Sequence, residues 1–222
     1  MKTRLIISLF VISTLIILFL AHYLLYDYAV RFFRLEDQSL KRYLIAFLMF
    51  MPVLFILSAI WLHYGSNVIS RGLYFLTGLW QGLLINLLVV AFFSWFLMGI
   101  LKILKIDPLL VPLRLVGTVG VLAAIFLMFY GIYNVFNVRL KTVDISLANL
   151  PLDWKGKKAV QISDVHLGNI LMNGHLLNIL KKIDEAKPDI IFITGDLFDG
   201  MDGDLDVFLP NLKKLQAPLG VY

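Results

Sequence analysis

The chain has 222 residues, of which 60% are hydrophobic, and it contains no cysteine. Soluble domains are roughly 45–50% apolar, so this composition indicates a membrane protein. Residues 1–136 carry ten Lys and Arg against four Asp and Glu, whereas residues 137–222 carry ten against eleven. Because the basic excess lies beside apolar segments, we expect no nucleic-acid binding. The absence of cysteine excludes disulfides and thiolate metal sites.

Four apolar stretches are long enough to cross a bilayer, which takes about 20 residues. They cover residues 5–26, 43–62, 73–101 and 113–136. The first exceeds the roughly 7–15 apolar residues of a signal peptide, and no small-x-small cleavage site follows it, so it is interpreted as a retained helix. The sequence therefore predicts a multi-pass α-helical membrane domain over residues 1–136, embedded in a lipid bilayer and located in the cell membrane.

The basic residues near the predicted helix ends favour one orientation of this domain. With four spans, both ends of the chain share a side, which carries five of these charges against seven on the other side. The positive-inside rule places the larger set in the cytoplasm. We therefore expect the region after residue 136 to be extracytoplasmic.

Two features of the predicted spans concern helix packing. Gly78 and Gly82 form a GxxxG pattern, which is expected to pack against another helix of the same chain, with a dimerisation face as the alternative. His22 lies near the end of the first predicted helix and is expected at the membrane interface. The oligomeric state is left open.

After residue 136 the pattern changes to that of an α/β domain. Residues 139–149 alternate as a strand, and residues 158–163 and 189–194 form two short apolar strands. Asn173 is expected to cap a helix between these two, and residues 205–215 predict a second helix, with Pro210 either bending it or marking its true start. Apolar residues recur at helical spacing at Leu176, Ile179, Leu180 and Ile183. With a third strand beginning at residue 219, the order predicts a parallel sheet.

Metal-binding side chains follow both predicted strands at their carboxyl ends, where open α/β sheets bind ligands. Asp164 and His166 follow the first strand, and residues two apart on an extended chain point to the same side. A carboxylate with an imidazole suits Zn, Fe or Mn. Asp196 follows the second strand, and its two oxygens can bridge two ions about 3.5–4 Å apart, which clamp a phosphoryl group. His175, early in the next helix, is expected to face solvent.

The stretches VQISDVHLG and KPDIIFITGDLFDG resemble the opening of the calcineurin-like metallophosphoesterases, in particular the membrane-anchored members. The resemblance covers residues 137–222 and implies the start of a layered α/β domain. It implies that Asp164 and His166 bind a first metal and that Asp196 bridges two metals. Asp199 would orient the ligands rather than bind. The implied cofactors are two divalent or trivalent ions of Mn, Fe or Zn; no organic cofactor motif is present.

The family pattern continues with G-N-H-[D/E], a further His and G-H-x-H, which have no counterpart before Tyr222. We therefore expect a truncated chain that holds only the N-terminal part of the domain, contains no catalytic residue and has little phosphoesterase activity alone. An in-frame continuation of the gene past the Tyr222 codon would favour a metal-dependent hydrolase. A stop codon there would favour a non-catalytic membrane protein with a vestigial metal-binding half-domain.

The implied function is that of a membrane-anchored hydrolase acting through a two-metal centre on a phosphomonoester or phosphodiester. Membrane attachment suggests a lipid or cell-envelope substrate. The alternative is a non-catalytic membrane protein with a vestigial metal-binding half-domain. A channel or transporter with a regulatory tail is disfavoured by the lack of charges within the predicted spans.

Overall fold

The computed structural model describes residues 2–106, 112–199 and 205–222. The chain divides into two compact units, Met1–Ile132 and Tyr133–Tyr222. Four long helices begin in the first unit, and the second contains a small parallel sheet with two helices. Each unit is described by itself.

The four long helices are α1 (Lys2–Phe32), α2 (Gln38–Tyr64), α3 (Val68–Ile103) and α4 (Leu113–Phe136). Each contains a segment long and apolar enough to cross a membrane, which confirms the four predicted long apolar helices. Local capping explains two of the starts. Asp37 accepts hydrogen bonds from the backbone N–H groups of Ser39 and Leu40, and Asn67 forms a capping box with Ser70 before α3.

Helices α1, α2 and α3 are joined by hydrogen bonds between buried polar side chains. The hydroxyls of Ser58 and Thr77 lie 2.9 Å apart and connect α2 to α3. Trp80 Nε1 donates to His22 Nε2 over 2.9 Å and connects α3 to α1. His22 is fully buried, so its expected position at the interface was wrong. Both ring nitrogens of His22 have hydrogen-bond partners, since Nδ1 lies 2.7 Å from the Leu18 carbonyl oxygen and Nε2 accepts from Trp80. These bonds offset the cost of burying a polar ring.

The glycines that pack helices together are not those of the GxxxG pattern. A β-carbon added at Gly78 or Gly82 would meet no atom within 4 Å, so the expected packing of this pair against another helix of the same chain was wrong. On α4, by contrast, a β-carbon at Gly117 would lie 2.8 Å from Phe32 Cδ1, and one at Gly120 would lie 2.5 Å from Val90 Cγ1. Small residues of α4 therefore allow close contact with α1 and α3.

The second unit is built on two parallel strands, β1 (Ala159–Ser163) and β2 (Ile190–Thr194). They pair in register from Ala159 with Ile190 to Ser163 with Thr194. Beyond β2, Val221 forms a parallel bridge with Ile191, so the residues predicted to begin a third strand do pair with β2. Both β1 and β2 therefore end at the same edge of the sheet.

Helix α5 (Asn173–Ala186) connects β1 to β2 and covers the sheet with its apolar face. Its four apolar residues at helical spacing, Leu176, Ile179, Leu180 and Ile183, are buried, as predicted. They form a core with Val165, Leu167, Ile191 and Phe208. Asn173 is the first helical residue rather than the cap, and its side chain instead bonds to the Val207 carbonyl and to Asn211.

Two predicted elements differ from the structure. Residues 139–149 form no strand, and Val143, Ile145 and Leu147 are 64%, 75% and 61% exposed. An alternating pattern becomes a strand only when another strand pairs with it, and no strand among the described residues does so. The helix expected over residues 205–215 is a 3-10 turn followed by the short α6 (Leu209–Leu212). Pro210 lies in the first turn of α6, which confirms the expectation that it could mark the true start of the helix.

Candidate metal centre

The loops that follow β1 and β2 run side by side at the carboxyl edge of the sheet. His166 N–H donates to the Asp196 carbonyl over 3.1 Å, and Leu167 N–H donates to the Leu197 carbonyl over 2.9 Å. Val165 and Leu167 are buried at 6% and 0% exposure, whereas Asp164 and His166, which alternate with them along the chain, are exposed. The apolar residues thus anchor the first loop and leave its ligand-type side chains at the surface.

Asp164, His166 and Asp196 converge on one point. Each offers a ligand atom, and these atoms all lie within 4.8 Å of one another. The sequence predicted this grouping, but for a different backbone reason. Asp164 and His166 both have φ of +51°, so the left-handed conformation, rather than an extended chain, turns them to the same side. Asp and His are among the residues that adopt this region most readily.

Gly195 makes room for the Asp164 carboxylate. Its φ is +66°, and a β-carbon at this position would lie 2.5 Å from Asp164 Oδ1. Any other residue would both strain the backbone and displace the carboxylate. The glycine that precedes Asp196 is therefore required by the position of a side chain on the neighbouring loop.

Hydrogen bonds favour the charged form of the Asp164 carboxylate. The Ser163 hydroxyl and then the Asp196 backbone N–H lower the pKa of Asp164 below its ordinary value, with a smaller contribution from His166. Ser163 Oγ donates to Asp164 Oδ2, and Asp196 N–H approaches Oδ1 at 3.4 Å. An ionised carboxylate at neutral pH is the form that binds a cation.

The three side chains fit a transition-metal ion. A cation that binds nitrogen and oxygen at about 2.0–2.2 Å has ligand atoms no more than about 4.4 Å apart. The group lies within 4.8 Å, so small rotations of exposed side chains cover the difference. Two carboxylates and one imidazole suit Zn, Mn or Fe.

Asp199 lies beside this group and is not part of it. Its backbone N–H donates to the Leu167 carbonyl over 2.8 Å. A β-carbon at Gly168 would lie 2.9 Å from Asp199 Cβ, so Gly168 permits the close approach of the two loops. These contacts fix the two loops to each other; the expected role of Asp199 in orienting the ligands stays a prediction.

His175 was predicted to face solvent, and in the structure it is half-buried. Its Nδ1 atom is buried and has no hydrogen-bond partner among the described residues. Burial lowers the pKa of His175. His175 lies four residues before the buried Ile179, so helical spacing places it beside the apolar face of α5.

The fold and the site define a protein with long apolar helices and a candidate metal centre at the edge of a parallel sheet. The family profile of the calcineurin-like phosphoesterases matches residues 157–221. This match contains both loops of the centre, and it confirms the family resemblance expected from the sequence. The family implies divalent metal ions and a phosphoester hydrolase.

Several curated proteins are similar to this segment. An uncharacterized metallophosphoesterase, YkuE, of Bacillus subtilis is 38% identical over 73 residues, which are 32% of this chain and 26% of that protein. An uncharacterized metallophosphoesterase of Campylobacter jejuni is 31% identical over 83 residues, 37% of this chain and 21% of its own length. A zebrafish (Danio rerio) transmembrane protein with metallophosphoesterase domain is 32% identical over 80 residues, 36% of this chain and 18% of its own length.

The matches cover about a fifth to a quarter of the length of these relatives. No solved structure matches the chain significantly. The similarity therefore concerns the C-terminal segment of this chain.

Proposed function

We propose that this protein is a membrane-anchored, metal-dependent phosphoesterase that hydrolyses a phosphomonoester or phosphodiester. The observation that carries the proposal is the convergence of Asp164, His166 and Asp196 within 4.8 Å, inside the segment matched by the phosphoesterase profile. The four apolar helices provide the anchor.

In this proposal Asp164 and His166 hold a first ion, and Asp196 lies between it and a second. When bound, such ions stabilise the negative charge of a transferring phosphoryl group and activate water. The chain itself positions the ligands: the pairing of the two loops fixes their spacing, and Ser163 keeps Asp164 ionised. Because the group is exposed at the sheet edge, a phosphoester can reach it from solvent.

The test is hydrolysis by the product of the complete open reading frame that contains this sequence. In neutral detergent with Mn²⁺, we expect it to hydrolyse bis-p-nitrophenyl phosphate or p-nitrophenyl phosphate. Asp196→Asn should lower kcat/KM by more than about 100-fold, the upper range for removing even an indirect metal contact. Asp144→Asn, the same change at an exposed residue outside the group, is the matched control.

Two results would contradict the proposal. One is Mn²⁺-dependent hydrolysis that Asp196→Asn leaves unchanged. The other is a protein that binds Mn²⁺ through these residues and hydrolyses neither ester, which would support the non-catalytic alternative.

We further propose that the C-terminal unit is extracytoplasmic, on the basis of the charge distribution around the spans. The cysteine-free sequence allows a direct test. A single cysteine at exposed Lys155 should react with a membrane-impermeant maleimide on intact cells, whereas one at exposed Arg34 should react only after lysis. The reverse pattern would show the opposite orientation.

A further inference from the structure

The C-terminal unit contains a cavity of about 440 Å³ beside the metal centre. Its walls are residues 134–140, residues 160–165 and one face of helix α5, all of which belong to this unit. Sites for small organic ligands have volumes of roughly 300–1,000 Å³. The cavity is therefore large enough for a group of several heavy atoms.

The walls carry polar and basic side chains from all three segments. The polar lining residues are Asn134, Asn137, Arg139, Gln161, Ser163, Asp164, His175 and Lys182. The two cationic side chains, Arg139 and Lys182, outnumber the single carboxylate of Asp164, and with the amides of Asn134 and Asn137 they match an anion that also bears hydroxyl groups.

The basic residues of the wall are available to a ligand. Arg139 is exposed and forms no ion pair within the described part of the chain. Lys182 lies 2.7 Å from Glu185 in a pair whose side chains are 38% and 46% exposed, and such surface pairs are weak and readily exchanged. The buried Nδ1 of His175, which has no partner among the described residues, is also available to a ligand, since buried polar atoms ordinarily have a hydrogen-bond partner.

The cavity adjoins the candidate metal centre through one shared residue. Asp164 lines the cavity and also belongs to the convergent group with His166 and Asp196. A molecule held in the cavity therefore has part of its structure next to the point where a metal would bind.

The cavity also adjoins the end of a membrane-spanning segment. Asn134 and Val135 line it, and they lie in the last turn of α4, whose candidate span ends at Phe136. The ends of such spans lie at the depth of lipid headgroups. If α4 crosses a bilayer, this wall therefore meets lipid headgroups, which carry anionic phosphate.

We propose that this cavity binds the phosphate-bearing headgroup of a membrane lipid and presents it to the metal centre. This inference rests on the proposed function, because the headgroup is part of the substrate only if the protein is a phosphoesterase. Arg139 and Lys182 hold the phosphate, and Asn134 and Asn137 bind the hydroxyl groups, Asn137 through its amide oxygen because its Nδ2 donates to Tyr133. Free phosphate has the same recognition chemistry, and the experiment separates the two sources.

The experiment measures binding, in neutral detergent and with a metal chelator, by ligand-detected NMR on the full chain. The probes are dihexanoyl phosphatidic acid, glycerol 3-phosphate and inorganic phosphate. We expect Arg139→Gln and Lys182→Gln each to weaken binding by about 10-fold, the effect of one charge-assisted contact. Lys141→Gln and Lys181→Gln, on the same segments but outside the lining, should leave binding unchanged.

Binding of the first two probes but not of inorganic phosphate, weakened about 10-fold in Arg139→Gln, assigns the site to a lipid headgroup. Equal binding of inorganic phosphate, weakened to the same extent in that variant, assigns it to free phosphate and overturns the lipid part of the proposal. Absence of binding by any probe, or binding unchanged in both variants, overturns the site itself. The binding assay contains no metal, so its result does not depend on hydrolysis. A protein that binds these probes but hydrolyses no ester in the separate activity assay would contradict only the proposed function.

Discussion

Gly195 lies directly against the carboxylate of Asp164, on the neighbouring loop. A β-carbon at Gly195 would be 2.5 Å from Asp164 Oδ1 and 2.9 Å from its Cγ. The loop after β2 therefore leaves space for a side chain of the loop after β1. Because Gly195 has no side chain, the Asp164 carboxylate can lie at the candidate metal centre.

Gly195→Ala should weaken Mn²⁺ binding by about 10-fold or more, because the new methyl group displaces the Asp164 carboxylate. The positive φ of this residue, +66°, should add a loss of about 1 kcal/mol in the free energy of unfolding. Mn²⁺ titration followed by electron paramagnetic resonance measures the first effect, and denaturant unfolding measures the second.

The matched control is Gly174→Ala in α5, where a β-carbon would meet nothing within 4 Å. It should bind Mn²⁺ like the unmodified protein, with stability equal or slightly higher. Unchanged Mn²⁺ affinity in Gly195→Ala would show that Asp164 does not take part in the site.

Asp189 makes the stability of the C-terminal unit depend on pH in the acid range. The Lys158 backbone N–H and then Lys157 lower its pKa from the ordinary value of 3.8. Lys157 Nζ lies 2.9 Å from Asp189 Oδ1, and Lys158 N–H donates to Oδ2 over 2.9 Å. These bonds join the start of β1 to the start of β2.

A carboxyl whose pKa is lowered on folding stabilises the folded state above its unfolded pKa, and this stabilisation is lost as pH falls through the folded pKa. Asp189→Asn should therefore lower the free energy of unfolding at pH 7 and flatten its decline below pH 3.8. Urea unfolding of both proteins across pH 2–7 tests this, with Asp153→Asn, at an exposed position, as the control. Parallel pH profiles for Asp189→Asn and the unmodified protein would contradict the assignment.

Trp80→Phe should destabilise the helices of the first unit by about 0.6–1 kcal/mol, the range for hydrogen bonds between membrane helices. It removes the donor that lies 2.9 Å from His22 Nε2, and fully buried His22 then lacks a partner for that atom. Thermal unfolding in detergent measures the effect. Trp61→Phe, at a 44% exposed tryptophan, is the control, and equal unfolding temperatures for both variants would mean that the His22–Trp80 bond contributes nothing.

The sequence predicted the elements whose signals are local. Long apolar runs predict spans, and the spacing of Leu176, Ile179, Leu180 and Ile183 predicts the buried face of α5. The grouping of Asp164, His166 and Asp196 was also predictable, because parallel strands end at one edge. The left-handed backbone of the first two could not be read from the pattern.

The features that differ from the predictions depend on contacts between residues that are far apart in the chain. His22 is buried because Trp80, far along the chain, provides its hydrogen bond. Gly78 and Gly82 match a packing motif, yet the close contacts are made by Gly117 and Gly120, whose partners are on other helices. His175 lines a cavity with residues 134–140, which precede β1.

The X-ray absorption spectrum of Zn²⁺ bound to the full chain in neutral detergent tests most directly whether Asp164, His166 and Asp196 form a metal centre. We expect nitrogen and oxygen ligands at about 2.0–2.2 Å, with imidazole scattering. His166→Gln should remove the imidazole signal, whereas His175→Gln should leave it intact. Imidazole scattering that persists in His166→Gln, or Zn²⁺ affinity unchanged in Asp164→Asn and Asp196→Asn, would show that these three residues do not form a metal centre.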